Sequence, residues 1–494
     1  MTNSTVSLDD KYSIESGRIF VTGVQALARI PMVQRQRDVL EGLNTAGFIS
    51  GYRGSPVGGF DQQLWRAKKF LEQNHIRFQP GLNEDLAASA IWGSQQTNLH
   101  EGGKYDGVFA IWYGKGPGVD RCGDVFKHGN MSGPAKHGGV LLIAGDDHAA
   151  KSSTVPHQSE YAFMDASIPV LNPAGVQDIV DYGILGFAMS RFSGCWVAFK
   201  TTAENMDSSA SIDVSPDRVK ISLPKFDMPE GGLSIRWPDD WIEQEHRLHQ
   251  YKLNAVRAFA RHNKIDKTII NSQNPKLGVV TTGKSYLDVR QALEDLGINE
   301  AKADKIGLRL YKVGMPWPLE PQGIDEFSQG LKEILVIEEK RPIIESQLKE
   351  HLYNHAPKNR PNVVGKYDDK GQFLQPAAGE LSPSLIAKVI ASRILQFSDD
   401  TAIREKLKFM QDKENGLIKP ETDFARTPFF CSGCPHNTST KVPDGSRATA
   451  GIGCHFMSVW MDRNTSTFTH MGAEGTPWIG QAPFTQTEHI FANI

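Results

Sequence analysis

Between residues 45 and 205, short runs of β-branched and aromatic residues alternate with glycine-rich loops and stretches of helical periodicity. "TAGFISGYRGSP", "DGVFAIWYGKGP", "GGVLLIAGDD" and "GCWVAFKTT" each read as a buried strand running into a loop. That alternation predicts an α/β domain on a parallel sheet whose strand ends carry the functional loops. From about 208 to 238 the chain turns irregular and proline-rich, and residues 239–264 then show helical periodicity, which predicts an exposed connecting helix. A second strand, loop and helix series starts at "KLGVVTTGKS", continues through "RLYKVGMPWPLE" and "KEILVIEEKR", and ends near residue 397. A charged, locally helical linker follows to residue 426, and "TPFFCSGCPHN" opens a further unit. The expected division is 1–238, a connecting helix over 239–270, a second α/β domain over 271–397, a linker over 398–426 and a last segment over 427–494.

Composition agrees with several domains. A chain of 494 residues, 39% apolar and 22% charged, exceeds the ~250–300 residues at which single cores stop growing. With 54 basic and 57 acidic residues the net charge is -3, and no block of like charge points to nucleic acid or a membrane surface. The start "MTNSTVSLDDKYS" lacks the basic and apolar regions of a secretory signal, and "GGVLLIAG" is far shorter than the ~20 residues of a membrane span. Five cysteines, three of them clustered, suit a reducing compartment, so a cytoplasmic location is expected.

Two glycine patterns invite a nucleotide reading. "GVVTTGKS", residues 278–285, satisfies the P-loop pattern and lies between a strand and a helix. Its first glycine, however, precedes Val279 and Val280, which belong to a strand interior, so too little chain remains to wrap a phosphate. A sheet-edge turn is expected instead. "YGKGPGVD", residues 113–120, is too loose for a dinucleotide loop, although three glycines after a strand suit backbone approach to a ligand.

In "FQPGLNEDLAASAIWGSQQ", Asn83, Glu84 and Asp85 open a helix, and Ala87, Ala88, Ser89 and Ala90 let it pack closely on a neighbour. An acidic first turn is often no more than a cap. The functional alternative is that Glu84 is a carboxyl group at the mouth of an apolar pocket, able to exchange a proton. Later in the chain, Cys431-x2-Cys434, nineteen residues and Cys454 give three soft ligands. Met457 breaks the second half of a zinc ribbon, which leaves a Cys₃His zinc site with His436, His455 or His470, or a cluster site.

"GYRGSP", "LNEDLAASAIWG", "GGVLLIAGDDHAAKSS", "CSGCPHN" and "GIGC" together resemble the thiamine-diphosphate-dependent 2-oxoacid:ferredoxin oxidoreductases, the indolepyruvate branch in particular. The resemblance covers nearly the whole chain. It implies a pyrimidine-type thiamine-diphosphate-binding domain, a transketolase-C-terminal-like domain and the start of a pyrophosphate-type domain. Glu84 is implied to bond N1′ of the aminopyrimidine, Ser55 and Pro56 to orient the substrate carboxylate, and Cys431, Cys434 and Cys454 to ligate a [4Fe-4S] cluster. Gly472 is implied as a further cofactor contact. On the residues alone, Ser55-Pro56 is equally a strand-end turn. Arg53 replaces the family's proline and adds a charge that would attract a 2-oxoacid. Ser152 and Ser153 match a Ser-Ser pair of the branch, but Lys151 replaces the histidine before it, so His148 and His157 are expected as loop polar groups. Trp112 and Tyr113 hint at an aromatic-lined pocket.

The implied reaction converts an arylpyruvate such as indolepyruvate and CoA to an acyl-CoA, CO₂ and reduced ferredoxin, in a homodimer or a fused equivalent. Such enzymes anchor the diphosphate through Mg²⁺ with a Gly-Asp-Gly loop, which does not occur here. The expectation is therefore an N-terminal portion, inactive alone, with that loop and a fourth cluster cysteine beyond Ile494 and residues from about 427 poorly supported. Alternatives are a non-redox thiamine decarboxylase or carboligase, a P-loop ATPase, and a fragment acting only as a binding module.

Overall fold

A computed structural model describes residues 6–416 and 427–494. The first five residues of the polar start and residues 417–426 of the expected linker lie outside the described residues. The chain divides into two compact units, residues 1–152 with 156–412 and residues 413–494 with 153–155.

The larger unit is built on two sheets. Its strands are β1 (Arg18–Thr22), β2 (Ala46–Gly51), β3 (Ile76–Phe78), β4 (Val108–Lys115), β5 (Val140–Gly145), β6 (Val170–Leu171), β7 (Val197–Thr201) and β8 (Ser209–Asp213), followed by β9 (Lys267–Ile270), β10 (Leu277–Thr282), β11 (Leu308–Val313), β12 (Glu333–Ile337) and β13 (Asn362–Val364). The first sheet is parallel throughout, in the order β3-β2-β4-β5-β7-β6, while β1 and β8 form a separate antiparallel pair. The second has the order β13-β12-β10-β11-β9, and only β9 runs antiparallel to its neighbour.

Alternate side chains explain the unbroken apolar runs. On β4, Phe109, Ile111 and Tyr113 join one core while Ala110 and Trp112 join the core on the opposite face. β5 divides likewise, with Leu141 and Ile143 on one side and Val140, Leu142 and Ala144 on the other. A sheet covered on both faces needs apolar residues at every position, so alternation of polar and apolar residues disappears. The second sheet repeats this: Leu308 and Leu310 face one core, Tyr311 and Val313 the other.

Residues 239–264 differ from the exposed helix expected of them. Trp241–Arg247 has no buried residue, but one wide turn later Leu253–His262 buries Val256, Phe259 and Ala260 in the first core. Leu248, Ala255, Val256 and Phe259 make an apolar stripe that docks on the Val176–Ser193 helix. Between the halves, fully buried Lys252 donates to the carbonyls of Asn130 at 3.0 Å and Met131 at 2.8 Å, and burial lowers its pKa to about 8. The periodicity was real, but the charged face hid the apolar one.

The two sheets meet where the Val170 amide donates to Trp317 O at 2.7 Å and the Asn172 amide to Gly314 O at 2.9 Å. Asp266 shapes that joint, because its Oδ1 accepts from Gly314 N at 2.7 Å and Met315 N at 3.0 Å. Further ties are Lys312 Nζ to Asp178 at 2.5 Å and Lys340 Nζ to His148 O at 2.7 Å.

The smaller unit carries a three-stranded parallel sheet of β14 (Ala448–Ala450), β15 (Thr465–Phe468) and β16 (Phe491–Asn493), with β14 central. The stretch "QTEHIFANI" runs without a helix into β16, where Phe491 is 39% exposed. Among the described residues, no helix is long and apolar enough to cross a membrane.

Asp266 yields a testable pH dependence. Although the residue is only half-buried as a whole, its Oδ2 is shut off from solvent without a partner, and burial raises its pKa from 3.8 to about 7. Between those values the folded chain holds a proton that the unfolded chain releases, so this group's stabilisation is complete below the lower value and lost as pH rises through the upper one. Asp266→Asn keeps the Oδ1 acceptor. We expect the variant to match the wild type near pH ~4 and exceed it by on the order of 1–3 kcal/mol at pH ~8 in urea titrations, which an unchanged difference would refute.

Candidate functional site

From β2 the chain passes to β3 at the sheet edge and then crosses back to β4 on the other side of β2. The loops after β2 and β4 therefore diverge, and a crevice at the carboxyl ends of the strands is where open α/β sheets bind ligands. The Glu84–Gln95 helix begins there, capped by the Asn83 side chain, which accepts from Leu86 N at 2.9 Å. Ala87 and Ala88 pack inward as expected, whereas Ser89 and Ala90 are exposed.

Glu84 itself is buried, its side chain only 5% exposed. Trp112 Nε1 donates to the Glu84 backbone carbonyl at 2.9 Å and ties the helix start to β4. Arg121 Nε stands 3.9 Å from Glu84 Oε2, near enough for charge attraction and too far for a hydrogen bond. A Cβ on Gly118 would lie 2.5 Å from Glu84 Cγ. Of the glycines in "YGKGPGVD", then, Gly118 makes room for the carboxylate, and Gly116, whose Cβ would lie 2.2 Å from His157 Cγ, makes room for that imidazole.

Beside Glu84 runs the loop after β2. Arg53 and Ser55 are exposed, Pro56 is half-buried, and Ser55-Pro56 is a cis peptide. A Cβ on Gly54 would meet Lys115 Cδ at 2.6 Å, and one on Gly145 would meet Pro56 Cδ at 2.9 Å, so this loop rests on the ends of β4 and β5. Lys115 was not singled out in the sequence, although a lysine closing the apolar run "FAIWYGK" is a signal. It is buried and donates to Ser152 O at 3.2 Å. Burial lowers its pKa, opposed by Asp147 and Glu84.

The next loop is organised by Asp147, whose carboxylate accepts from the amides of Lys151 at 2.9 Å and Ser152 at 2.7 Å. Lys151 pairs with Glu380 at 2.7 Å, and that hydrogen bond raises its pKa. His157 is a loop group paired with Asp120 at 2.9 Å. His148 also lies in a turn, but it is buried, and desolvation with Lys200, Lys284 and Lys340 nearby holds its pKa well below the usual imidazole range.

Trp112 and Tyr113 belong to the two cores of the first sheet. Both are fully buried on β4, packed edge-on against Phe126 and Phe60 at 5.1 Å each. Gly278 lies inside β10, and Lys284 is occupied by Asp288 at 2.7 Å, Glu339 at 3.0 Å and Leu381 O at 2.9 Å. That lysine is a structural tie. A separate cavity of 640 Å³, lined in part by Arg261, Lys264, Asp266, Lys267, Arg309 and Glu320, includes neither Glu84 nor the loop after β2.

In the smaller unit, Cys431 and Cys454 are exposed and Cys434 is half-buried. A turn closes the first pair, with Cys434 N donating to Cys431 O at 3.0 Å and Asn437 Nδ2 to the same oxygen at 3.0 Å. Among the described residues, the three sulfurs are not gathered to the spacing of a single tetrahedral ion, with or without a histidine. His436 and His455 lie 5.7 Å apart, ring to ring, and burial lowers the His455 pKa. Gly472 is an exposed turn with φ +85, and its amide donates to Glu474 Oε2 at 3.0 Å. The other two cysteines, Cys122 and Cys195, are buried in the larger unit, where desolvation pushes both thiols up, Cys195 to about 11.

Residues 266–419 match the family model described as the indolepyruvate ferredoxin oxidoreductase middle domain. The indolepyruvate oxidoreductase subunit IorA of Pyrococcus horikoshii is 25% identical over 90% of this chain, and that of Pyrococcus abyssi is 26% identical over the same share. The match to that family is carried by residues 266–419, and over nine-tenths of its length the chain is similar to the IorA subunits. It spans 62% of the length of each of those two relatives. The fold is also that of a 2-oxoglutarate:ferredoxin oxidoreductase from Magnetococcus marinus, at 15% identity and TM-score 0.52, over 76% of this chain and 65% of that one.

The contact between Gly118 and Glu84 can be tested directly. Gly118→Ala should cost ~1–3 kcal/mol in urea denaturation by forcing the carboxylate aside. In a Glu84→Ala background, which removes the obstructing Cγ, the same substitution should cost under ~1 kcal/mol; equal costs would show that the contact is not limiting.

Proposed function

We propose that this chain contributes the thiamine-activating carboxyl group and three cluster thiolates to a 2-oxoacid:ferredoxin oxidoreductase acting on an arylpyruvate such as indolepyruvate. The observation that carries the reading is Glu84: a buried carboxylate at the switch point of a parallel sheet, with Arg121 at 3.9 Å beyond hydrogen-bond reach and its flank kept clear by a glycine. Burying a carboxylate without direct hydrogen-bonded pairing is costly, which favours a use for it.

These residues fit thiamine diphosphate, which when bound supplies the carbanion-stabilising chemistry of 2-oxoacid decarboxylation. Glu84 would hold a proton against N1′ of the aminopyrimidine and exchange it during turnover. Helix packing through Ala87 and Ala88, and the Trp112 bond to its backbone, keep the carboxyl in place. Arg53 and Ser55, exposed beside it, would draw in and orient the carboxylate of the 2-oxoacid, with Pro56 fixing the turn. The buried Lys115 adds positive charge on the same side.

Cys431, Cys434 and Cys454 would serve as three ligands of a [4Fe-4S] cluster, which passes electrons singly. Three solvent-accessible thiols in one small unit favour this over a non-redox decarboxylase, which needs none. Electrons would then reach ferredoxin, and CoA would accept the acyl group. Mg²⁺ and the diphosphate would require further groups, and Gly472 could contribute its amide only after release from Glu474. A second copy or a companion chain completes the thiamine site in this reading.

In the enzyme assembled with its partner segments, Glu84→Gln should lower CoA-dependent CO₂ release from indolepyruvate by ~10²–10⁴-fold. Activity within a few-fold of the wild type would refute the assignment. Independently, Cys431→Ser should lower bound iron and the cluster's visible absorbance after anaerobic reconstitution; unchanged iron content would remove that cysteine from the ligand set.

A further inference from the structure

We infer that the larger unit carries a divalent transition-metal site, best suited to Zn²⁺, formed by Asp325, His351 and His355. One ligand atom from each residue lies within 4.8 Å of the others, the one such trio of His, Cys, Asp or Glu groups among the described residues. The Ile344–Leu352 helix presents His351, and the turn that continues it, closed by His355 N donating to Leu352 O at 3.0 Å, presents His355 four residues on. That spacing puts two imidazoles on one face. Asp325 comes from the neighbouring Pro321–Ser328 helix, whose start is held by Glu320 accepting from Gln322 N at 3.0 Å and Gly323 N at 2.6 Å.

The two elements are fixed relative to each other before any ion arrives. Ile324 and Phe327 of one helix and Ile344, Leu348 and Leu352 of the other share a single apolar core. Asp325 Oδ1 stands 2.7 Å from His351 Nε2 and 3.7 Å from His355 Nε2. A tetrahedral zinc ion bonds N and O at ~2.0–2.2 Å and so separates its ligands by ~3.3–3.5 Å, which these side chains reach by small rotations. As it stands, the carboxylate bonds one imidazole and leaves the other beyond hydrogen-bond distance, whereas an ion between them would use all three. The side chains are 41%, 29% and 34% exposed in the order Asp325, His351, His355, so an ion can enter and water can take the fourth position. Imidazole with carboxylate favours Zn²⁺ over Mg²⁺ or Ca²⁺. The bound ion would brace the two helices beside the second sheet.

Free thiolates compete for zinc, so the test starts from the full chain with Cys431→Ser, Cys434→Ser and Cys454→Ser. Isothermal titration with Zn²⁺ should give about one equivalent and a rise in melting temperature on binding. His351→Ala with His355→Ala, and separately Asp325→Asn, should each weaken binding at least ~10-fold. Asp325→Asn preserves shape and decides the matter if the double variant fails to fold. No binding in the cysteine-free chain, or Asp325→Asn binding as tightly as its parent, overturns the proposal.

Discussion

Burial of both faces of the six-stranded parallel sheet is the constraint on which the rest of the larger unit depends. Its inner strands are lined by Phe109, Ile111, Leu141, Ile143, Val197 and Phe199 on one side and by Ala110, Trp112, Val140, Leu142 and Ala198 on the other. No charged group can stand mid-strand in such surroundings without a large desolvation cost. Charge is therefore pushed to the carboxyl ends, where Lys115, Asp146, Asp147 and Lys200 all occur. Once the order β3-β2-β4 parts the loops after β2 and β4, the helix start carrying Glu84 has one place to go.

The charges at those ends are managed in two ways. Lys200 is fully paired, with Glu160 at 2.5 Å and Asp146 at 3.5 Å, and reads as structure. Glu84 and Lys115 are buried without such close partners. That contrast within one sheet edge is what the proposed role of Glu84 rests on. The joint to the second sheet falls on the structural side: Asp266 spends one oxygen on two amides of the loop that receives Val170 and Asn172.

The smaller unit is held differently. Its central strand buries Ala448 and Ala450, and Asn493 Nδ2 donates to Thr465 Oγ1 at 3.0 Å and Ser458 Oγ at 3.3 Å. Phe429, Trp460, Ile479 and Phe484 are each at least 60% exposed. Side-chain hydrogen bonds contribute modestly to stability compared with apolar burial, so this unit has less to stabilise it than either sheet of the larger one.

The sequence by itself determined the strands, because a buried parallel strand must be apolar at every position and runs such as "GGVLLIAG" admit few other readings. It also determined the helix start at Glu84, through Asn83 as cap, and the strand interior at Gly278 that disqualifies the P-loop. Tertiary structure alone decided what those elements face. Trp112 and Tyr113 went to the core because β4 is central, and the 253–262 helix is buried because its narrow apolar stripe met the 176–193 helix. Lys115 sits at the site, and Gly118 clears the carboxylate, only because strands distant in sequence end side by side. His351, His355 and Asp325 come together for the same reason. Local pattern encodes periodicity and caps, but which side chains converge is set by strand order and helix packing, which act between residues that no short stretch contains.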